Sequence, residues 1–157
     1  MMTITHIQNP VTDVIFSNTE LISASYGARI YDLRTANMTT QLDGCNATLS
    51  AVYESAHLII GTSASDVSPC FLQHSPQVYI WDKRNANALL KTYQSPGLFF
   101  EVVDDVLYTA GSSGLECHSL NNHKLLWKST GFSATALTVN PDRILVGTAT
   151  GEVNIYS

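Results

Sequence analysis

A short segment occurs four times along the chain, and this repeat limits the fold more than any other feature. Each copy has a strand, a turn, and a second strand whose first residue is aliphatic and follows five positions after the end of the first strand. The second strands are Leu21-Ile-Ser-Ala-Ser, Leu58-Ile-Ile-Gly-Thr, Leu107-Tyr-Thr-Ala-Gly and Ile144-Leu-Val-Gly-Thr. Their fourth residues are small, namely Ala24, Gly61, Ala110 and Gly147. A small residue at one repeated position predicts a crowded point, where neighbouring sheets approach each other closely.

A third and a fourth strand extend the repeat. The third strands are centred on Tyr31, Trp81, His118 and Tyr156, and the fourth are predicted at 38–42, 89–93 and 125–129. Alternating apolar and β-branched residues favour strands, glycines mark the turns before the third strands, and no window has convincing helical periodicity. We therefore expect an all-β chain with units at 11–44, 47–95, 98–130 and 134–157.

The ends of the third strands carry a family resemblance. They read Ile30-Tyr31-Asp32, Ile80-Trp81-Asp82 and Ile155-Tyr156. Four-stranded units with this ending and with small residues in the second strand resemble the blades of WD-repeat β-propellers. The resemblance covers 11–157 and implies one domain over 1–157, a β-propeller of about four four-stranded blades that forms a partial ring or a half-propeller. It also implies that the blades pack against one another, since a twisted blade does not bury both faces alone.

The sequence departs from this family in two places. The Gly-His pair between blades is absent, and so is the Asp that usually occupies the turn before the third strand. The side-chain network of a typical WD-repeat blade therefore does not form here. The third repeat, 114–128, is more similar to the blades of quinoprotein-type propellers, because Trp127 occupies its outer strand. That second resemblance implies the same propeller geometry and a different function.

The number of repeats leaves three interpretations open. The chain is a fragment or shortened product of a longer propeller, or it pairs with a second half, which is its own copy or another protein, or it closes on itself with four blades. Thr3–Ile7 alternates like a strand and is a candidate for the closing strand of the last blade. In a half-propeller this segment would instead pair with a partner's blade. Without either pairing, two unpaired strand edges would remain exposed.

Composition narrows the classes of partner. The 157 residues carry a net charge of −5, and the eight Lys and Arg are scattered, so we expect no direct nucleic-acid binding. No apolar run approaches the length of about 20 residues that a membrane helix needs, so we expect no membrane partner. The first ten residues lack signal-peptide features, and Cys45, Cys70 and Cys117 have no C-x-x-C spacing. An intracellular protein of the cytoplasm or nucleus, with reduced thiols, is expected.

The motifs of common enzyme classes are absent from the sequence. There is no G-x-S-x-G, no phosphate-binding loop and no H-E-x-x-H. Gly111-Ser-Ser-Gly114 lies in a turn with no helix after it, and His118 occupies the position where other repeats have Tyr or Trp. We therefore expect no catalytic residues, no metal site and no cofactor.

The second repeat contains an insertion at 63–76, between its second and third strands. The loops at this position of a propeller open on the face where partners usually dock, and this loop carries Val67, Phe71, Leu72 and His74. A Phe-Leu pair at a loop tip is a candidate anchor for a protein partner, because buried aromatic residues dominate interface energies. The alternative is that Phe71 and Leu72 fold back over the blade and cap it. Tyr26 and Arg29, assigned to the equivalent turn of the first repeat, are expected to join the same surface.

The hypothesis from sequence is a non-enzymatic scaffold of the WD-repeat propeller type, which displays loops for protein–protein interaction. Its partners would be other proteins, a second propeller half, or a second copy of the chain. The alternatives are a quinoprotein-like ligand-binding or catalytic propeller, and a truncated product without an independent function.

Overall fold

The structure, a computed structural model, describes residues 10–45, 47–55, 57–63, 76–85, 88–97 and 99–157. The strands of these residues form four antiparallel sheets, and the one helical segment among them is a 3₁₀ turn at Lys83–Asn85. The prediction of an all-β chain is confirmed. The sequence candidate for a closing strand, Thr3–Ile7, lies outside the described residues.

The first two sheets each have four strands in sequential order. Sheet 1 consists of β1 (Asp13–Ser17), β2 (Glu20–Ser25), β3 (Gly27–Asp32) and β4 (Asn37–Leu42). Sheet 2 consists of β5 (Leu49–Ser55), β6 (Leu58–Ser63), β7 (Gln77–Asp82) and β8 (Leu89–Gln94).

The last two sheets differ in strand number. Sheet 3 consists of β9 (Phe99–Val103), β10 (Val106–Gly111), β11 (Gly114–Ser119) and β12 (Leu125–Ser129). Sheet 4 consists of β13 (Ala134–Asn140), β14 (Arg143–Thr148) and β15 (Val153–Tyr156). Among the described residues, sheet 4 therefore has three strands where the other sheets have four.

The turns follow from their sequences. Asp104 and Asp105, between β9 and β10, both have positive φ angles, of 49° and 60°, as a two-residue hairpin turn of type I′ requires. Gly114, the first residue of the third strand of sheet 3, has a φ of 118°, and a Cβ there would collide with the carbonyl oxygen of Ser129. Glycine is needed at this turn for both reasons.

The chain divides into two compact units, Met1–Tyr93 and Gln94–Ser157. In the first unit, sheet 1 packs on sheet 2 through a buried apolar cluster that includes Ile22, Ala24, Ile59 and Trp81. In the second unit, sheet 3 packs on sheet 4 through a cluster that includes Ala110, Leu115, Cys117 and Val146. Each unit thus buries an apolar cluster between two successive sheets.

Each sheet has two faces. We call the face that packs on the following sheet the front face, and the face that packs on the preceding sheet the back face. In both units a front face contacts a back face. Ile22 and Ala24 in β2 lie on a front face, and so do Tyr108 and Ala110 in β10. Ile59 in β6 and Ile144 and Val146 in β14 lie on back faces. Alternation along a strand assigns neighbouring residues to opposite faces.

The strand register corrects the sequence alignment of the second repeat by one residue. Phe16 pairs with Leu21, Val102 with Leu107 and Val139 with Ile144, as expected. Tyr53, however, pairs with Ile60 and not with Leu58. The structural equivalent of Leu21 is therefore Ile59, and that of Ala24 is Thr62. An aliphatic run such as Leu58-Ile59-Ile60 does not by itself reveal which residue faces which side.

The predicted centres of the third strands agree with this corrected register. Tyr31 pairs with Leu21, Trp81 with Ile59, His118 with Leu107 and Tyr156 with Ile144. These four aromatic or ring-bearing residues therefore occupy one equivalent position, on the back face of their sheets.

Candidate functional site

The structure describes two of the six site residues predicted from sequence. Val67, Phe71, Leu72 and His74 lie outside the described residues. Tyr26 links β2 to β3, forms a bridge to Thr48 and has 47% of its surface exposed. Its role in partner binding stays a prediction.

Arg29 does not lie in the turn, contrary to the sequence assignment. It is the third residue of β3, where it pairs with Ser23 on one side and Gln41 on the other. The reason is local: Gly27, with a φ of 84°, reverses the chain so sharply that Ala28 already pairs with Ala24. Arg29 consequently lies on the back face of sheet 1, partly buried.

A cavity of about 420 Å³ opens among the turns of the second unit, and we call it the turn pocket. It is formed by the turn between β10 and β11, the connection between β12 and β13, and the turn between β14 and β15. Its lining residues are Ser112, Ser113, Gly131, Phe132, Ser133, Ala149, Thr150 and Glu152. Two of these turns occupy the position in their sheets that Tyr26 occupies in sheet 1.

Hydrogen bonds between neighbouring residues shape one wall of the turn pocket. The hydroxyl of Thr150 donates to the Glu152 carboxylate at 3.1 Å, and the Glu152 amide donates to the Thr148 hydroxyl at 3.1 Å. The Thr148 and Thr150 hydroxyls lie 2.9 Å apart. The pocket thus combines hydroxyl groups and one carboxylate with the ring of Phe132. These groups suit hydrogen bonds to amides and contact with an apolar side chain.

A second cavity, of about 400 Å³, lies in the same unit, and we call it the aromatic groove. It is lined by Tyr108, Trp127, Asn140, Pro141, Asp142, Arg143, Ile144, Tyr156 and Ser157. The rings of Trp127 and Tyr156 lie with their centroids 5.5 Å apart, and the Tyr156 hydroxyl donates to Ser129 at 3.1 Å. Burial raises the pKa of Tyr108 above its ordinary value.

Sequence reasoning missed the aromatic groove. The sequence predicts Trp127 as an outer-strand residue and Tyr156 as a third-strand centre, with nothing that connects the two. The available signal was that aromatic residues occur in two successive repeats. It did not suffice, because the groove depends on how sheet 3 packs on sheet 4.

The buried thiols of the described residues are poor nucleophiles. Burial, followed by the nearby Glu116 carboxylate, raises the pKa of Cys117 to about 12. Burial also raises the pKa of Cys45. A thiol reacts as its thiolate, so both groups are suited to packing in the core.

His118 has a carboxylate neighbour, Glu116. One of its ring nitrogens lies 3.2 Å from Glu116, and its side chain is buried. Within the described ranges no group of three or more His, Cys, Asp or Glu side chains is placed to hold a metal ion. In the same part of the chain, no helix has the length and apolar character needed to cross a bilayer.

Two Asp-x-Arg turns follow the third strands of sheets 1 and 2. The Asp32 carboxylate accepts hydrogen bonds from the backbone amide and guanidinium of Arg34, and Asp82 does the same with Arg84. The paired arginine lowers the pKa of each carboxyl group to about 2. The Asp of the Tyr-Asp and Trp-Asp pairs therefore stabilises a turn at the strand end.

Comparison with known proteins shows the fold and no family. No protein-family model matches the chain, and no curated protein matches it either. Among solved structures, the computationally designed Ika4 protein matches with a TM-score of 0.75 and 15% identity, over 98% of this chain and 94% of that one.

The computationally designed Ika8 protein matches with a TM-score of 0.72 and 15% identity. The match covers 93% of this chain and 45% of the Ika8 chain, so this fold corresponds to less than half of that protein. At these identities the similarity concerns the arrangement of the sheets alone.

Proposed function

We propose that this protein is a non-enzymatic scaffold for protein–protein interaction, built from WD-repeat-like propeller blades, and that a protein partner docks on the turns between second and third strands. The observation that carries the proposal is the turn pocket, since turns from two successive sheets together enclose a cavity of about 420 Å³. Turns on a packed sheet scaffold can vary in sequence without disturbing the core, which makes them suitable for recognition.

The repeated packing of the sheets supports the propeller part of the proposal. In both units, the front face of one sheet packs on the back face of the next, and equivalent residues form the contact. Radial arrays of blades are built by repeating one such contact. The Asp-x-Arg turns after β3 and β7 provide further support, because they place the Asp of the Tyr-Asp and Trp-Asp pairs at equivalent positions.

The chemistry of the turn pocket favours a peptide segment of a protein as the ligand. Hydroxyl groups of Ser112, Ser113 and Ser133 can hydrogen bond to peptide amides and carbonyls, and Phe132 offers an apolar surface for one side chain. Glu152 adds a negative charge, so a peptide with a Lys or Arg near the apolar anchor fits best.

A photocrosslinking experiment tests this proposal. A benzophenone amino acid is placed at Ser113, in the turn between β10 and β11, and in a matched variant at Asn122, in the turn at the other end of β11. Both side chains are exposed. We expect one reproducible protein adduct from position 113, which Phe132→Ser abolishes, and none from position 122. Equal adducts at both positions, or an adduct that Phe132→Ser does not change, would contradict the proposal.

The insertion at 63–76 remains a predicted anchor for a protein partner. The double variant Phe71→Ser, Leu72→Ser in an affinity pull-down separates its two interpretations. Loss of the partner with an unchanged melting temperature supports a partner anchor. A lowered melting temperature with unchanged partner recovery supports the capping role.

The aromatic groove favours a second candidate function, the binding of a small ligand in a quinoprotein-like propeller. Trp127 lies in β12, the outer strand of sheet 3, and the groove has a volume of about 400 Å³, within the range of ligand pockets. An absorbing ligand that co-purifies and quenches Trp127 fluorescence would support this function. A colourless protein whose Trp127 emission is unchanged by dialysis would argue against it.

A further inference from the structure

The aromatic groove brings several rings together at a surface that is open to solvent. Trp127 is 38% exposed, the centroid of its ring lies 5.5 Å from that of Tyr156, and the ring planes differ by 40°. Tyr108 and Ile144, which are half-buried, and Pro141 complete the apolar part of the lining. An open groove of this kind suits a ligand that has flat apolar surfaces of its own.

The polar groups of the groove that are available to a ligand are mostly hydrogen-bond donors. Within the described part of the chain, no hydrogen bond is made by the Trp127 indole, the Tyr108 hydroxyl or the Arg143 guanidinium. None of these residues is buried. The Asn140 side-chain oxygen accepts from the amides of Asp142 and Arg143, at 3.1 and 2.8 Å, so its NH₂ group is a further donor. A ligand rich in acceptors and poor in donors therefore matches the groove.

A polyproline II helix combines flat apolar surfaces with acceptors alone. Proline has no backbone N–H, so a run of prolines presents carbonyl oxygens and no donors. The helix has no internal hydrogen bonds, so its carbonyls are free to accept from a partner. It is also ordered before it binds, which lowers the entropy lost on binding, and aromatic-lined grooves recognise it for these reasons.

Two other ligand classes match the same groove less well. A strand added to β12 would need an unbroken ladder, but the register of β12 shifts between Trp127 and Leu125, so that Leu126 forms a bulge. An organic cation, which aromatic rings also attract, would be repelled by the Arg143 guanidinium. Asp142 and Arg143 carry opposite charges, so the charged side chains of the lining favour neither an anion nor a cation.

We propose that the aromatic groove binds a proline-rich segment of a partner protein in the polyproline II conformation. Proline rings contact the rings of Trp127 and Tyr156, and carbonyl oxygens of the ligand accept from the Trp127 indole and the Tyr108 hydroxyl. This occupant differs from a small quinone-type ligand. The turn pocket has a separate set of lining residues, so binding in the groove does not depend on docking at the turns.

Proton–nitrogen NMR of the full chain with a synthetic decaproline peptide tests the proposal. The protein has two tryptophans, and the indole signals of Trp127 in the groove and of the fully buried Trp81 report separately. We expect the Trp127 signal to shift saturably as peptide is added, and the Trp81 signal to stay in place. A Gly-Ser peptide of the same length, which is flexible and keeps its N–H groups, should shift neither signal.

Substitutions separate the contribution of the rings from that of the donors. Trp127→Ala should weaken the binding of fluorescein-labelled decaproline about tenfold, measured by fluorescence anisotropy, because it removes a ring and a donor. Tyr108→Phe removes only the hydroxyl and should weaken binding about fivefold. Leu126→Ala is the matched control, since Leu126 is exposed in the same strand and does not line the groove, and its affinity should be unchanged. If Trp127→Ala loses its β-sheet circular dichroism, Tyr108→Phe replaces it.

Four outcomes would overturn the proposal. They are a Trp127 signal that does not shift at millimolar decaproline, equal affinities of the unaltered protein and Trp127→Ala, and a co-purifying absorbing ligand that decaproline does not displace. The fourth is tighter binding of a peptide of alternating Thr and Val, which would indicate strand addition.

The photocrosslinking at Ser113 separates this proposal from the proposed function. Decaproline binding without an adduct at Ser113 would contradict docking at the turn pocket and retain binding in the groove. An adduct at Ser113 without decaproline binding would do the reverse. If both sites bind, Phe132→Ser should remove the adduct and leave the affinity for decaproline unchanged, because Phe132 does not line the groove.

Discussion

Two glycines in the second unit show how closely the backbone is packed. A Cβ on Gly111 would collide with the Cα of Gly97 and with the carbonyl oxygen of Pro96. These are backbone atoms, so no side chain can rotate away to relieve the contact. The backbone conformation at both positions is otherwise open to any residue, because neither has a positive φ.

We expect Gly111→Ala to lower the free energy of unfolding by about 3 kcal/mol, at the upper end of what overpacking costs. Gly151→Ala is the control. Its Cβ would meet no atom within 4 Å, and its φ of 86° alone should cost about 1 kcal/mol. Urea unfolding measures both values. If both variants lost the same free energy of unfolding, the close approach of Gly97 and Gly111 would not constrain the fold.

The Asp-x-Arg turns make a prediction about titration. The carboxyl groups of Asp32 and Asp82 should titrate near pH 2, because Arg34 and Arg84 donate hydrogen bonds to their ionised forms. A lowered pKa stabilises the folded state above the ordinary value of 3.8, and this contribution is lost as the pH falls towards 2. The free energy of unfolding should therefore continue to fall as the pH is lowered below 3.8.

Carbon-13 NMR of the Asp carboxyl groups checks this prediction. Arg34→Gln should return the pKa of Asp32 towards 3.8 and leave Asp82 unchanged, and Arg84→Gln should do the converse. Arg143→Gln, in the second unit, should change neither. A pKa near 3.8 for Asp32 in the unaltered protein would disprove the pairing.

At the scale of elements, β7 joins the two sheets of the first unit. Trp81 is fully buried, stacks on Tyr79 with a centroid distance of 5.8 Å, and donates from its indole nitrogen to the carbonyl of Asp43 at 2.8 Å. Immediately after the strand, the ammonium of Lys83 contacts Glu20 in sheet 1 and Glu54 in sheet 2. A hydrophobic contact and an ion-pair network therefore hold the same two sheets together.

We expect Trp81→Phe to destabilise the protein by about 2–3 kcal/mol, because it opens a cavity and leaves the Asp43 carbonyl without its donor. Trp127→Phe is a matched substitution, since Trp127 is 38% exposed in an outer strand. Trp127→Phe should lower the free energy of unfolding by about 0.5 kcal/mol, as substitutions at exposed positions usually do. Chemical unfolding followed by circular dichroism distinguishes them. If Trp127→Phe lowered the free energy of unfolding more than Trp81→Phe does, the assignment of Trp81 to the core would be contradicted.

The stability of the whole molecule should decline at alkaline pH through Cys117. The pKa of this thiol is about 12 in the folded chain and 9.0 ordinarily, so between these values the unfolded chain has lost a proton that the folded chain retains. The free energy of unfolding should then fall by up to about 1.4 kcal/mol per pH unit above pH 9.

The variant Cys117→Ala isolates this effect from other alkaline titrations. The difference in unfolding free energy between the unaltered protein and Cys117→Ala should be constant below pH 9 and shrink above it. Urea unfolding on both sides of pH 9 gives this difference. A difference that does not change with pH would show that Cys117 titrates normally in the folded chain.

The strands and turns could be predicted from sequence, because their signals are local. Alternation of apolar residues marked the fourth strands near Met38, Leu89 and Leu125, and glycines marked turns that need positive φ angles. The third-strand centres also agreed with the register. Each of these features depends on a few neighbouring residues, so the order of elements can be read from the chain.

The faces and cavities could not be predicted, because they depend on contacts between distant residues. A shift of one residue exchanged the faces of β6, and the Leu58-Ile59-Ile60 run looks the same in either register. Arg29 lies in a strand and not in the predicted turn, because the positive φ of Gly27 ends the turn earlier. Likewise, Gly97, in the connection before β9, meets Gly111, at the end of β10, only once β9 and β10 have paired.

What the sequence determined by itself is therefore the repeat, the strand type and the turn positions, since backbone preferences and side-chain alternation act within a few residues. What only the tertiary structure decided is which face of each strand is buried and which residues share a cavity. Those properties arise when sheets pack on one another, and for sheet 4 that packing leaves Val153 and Ile155 exposed on a face whose equivalents in sheets 1 and 3 are buried.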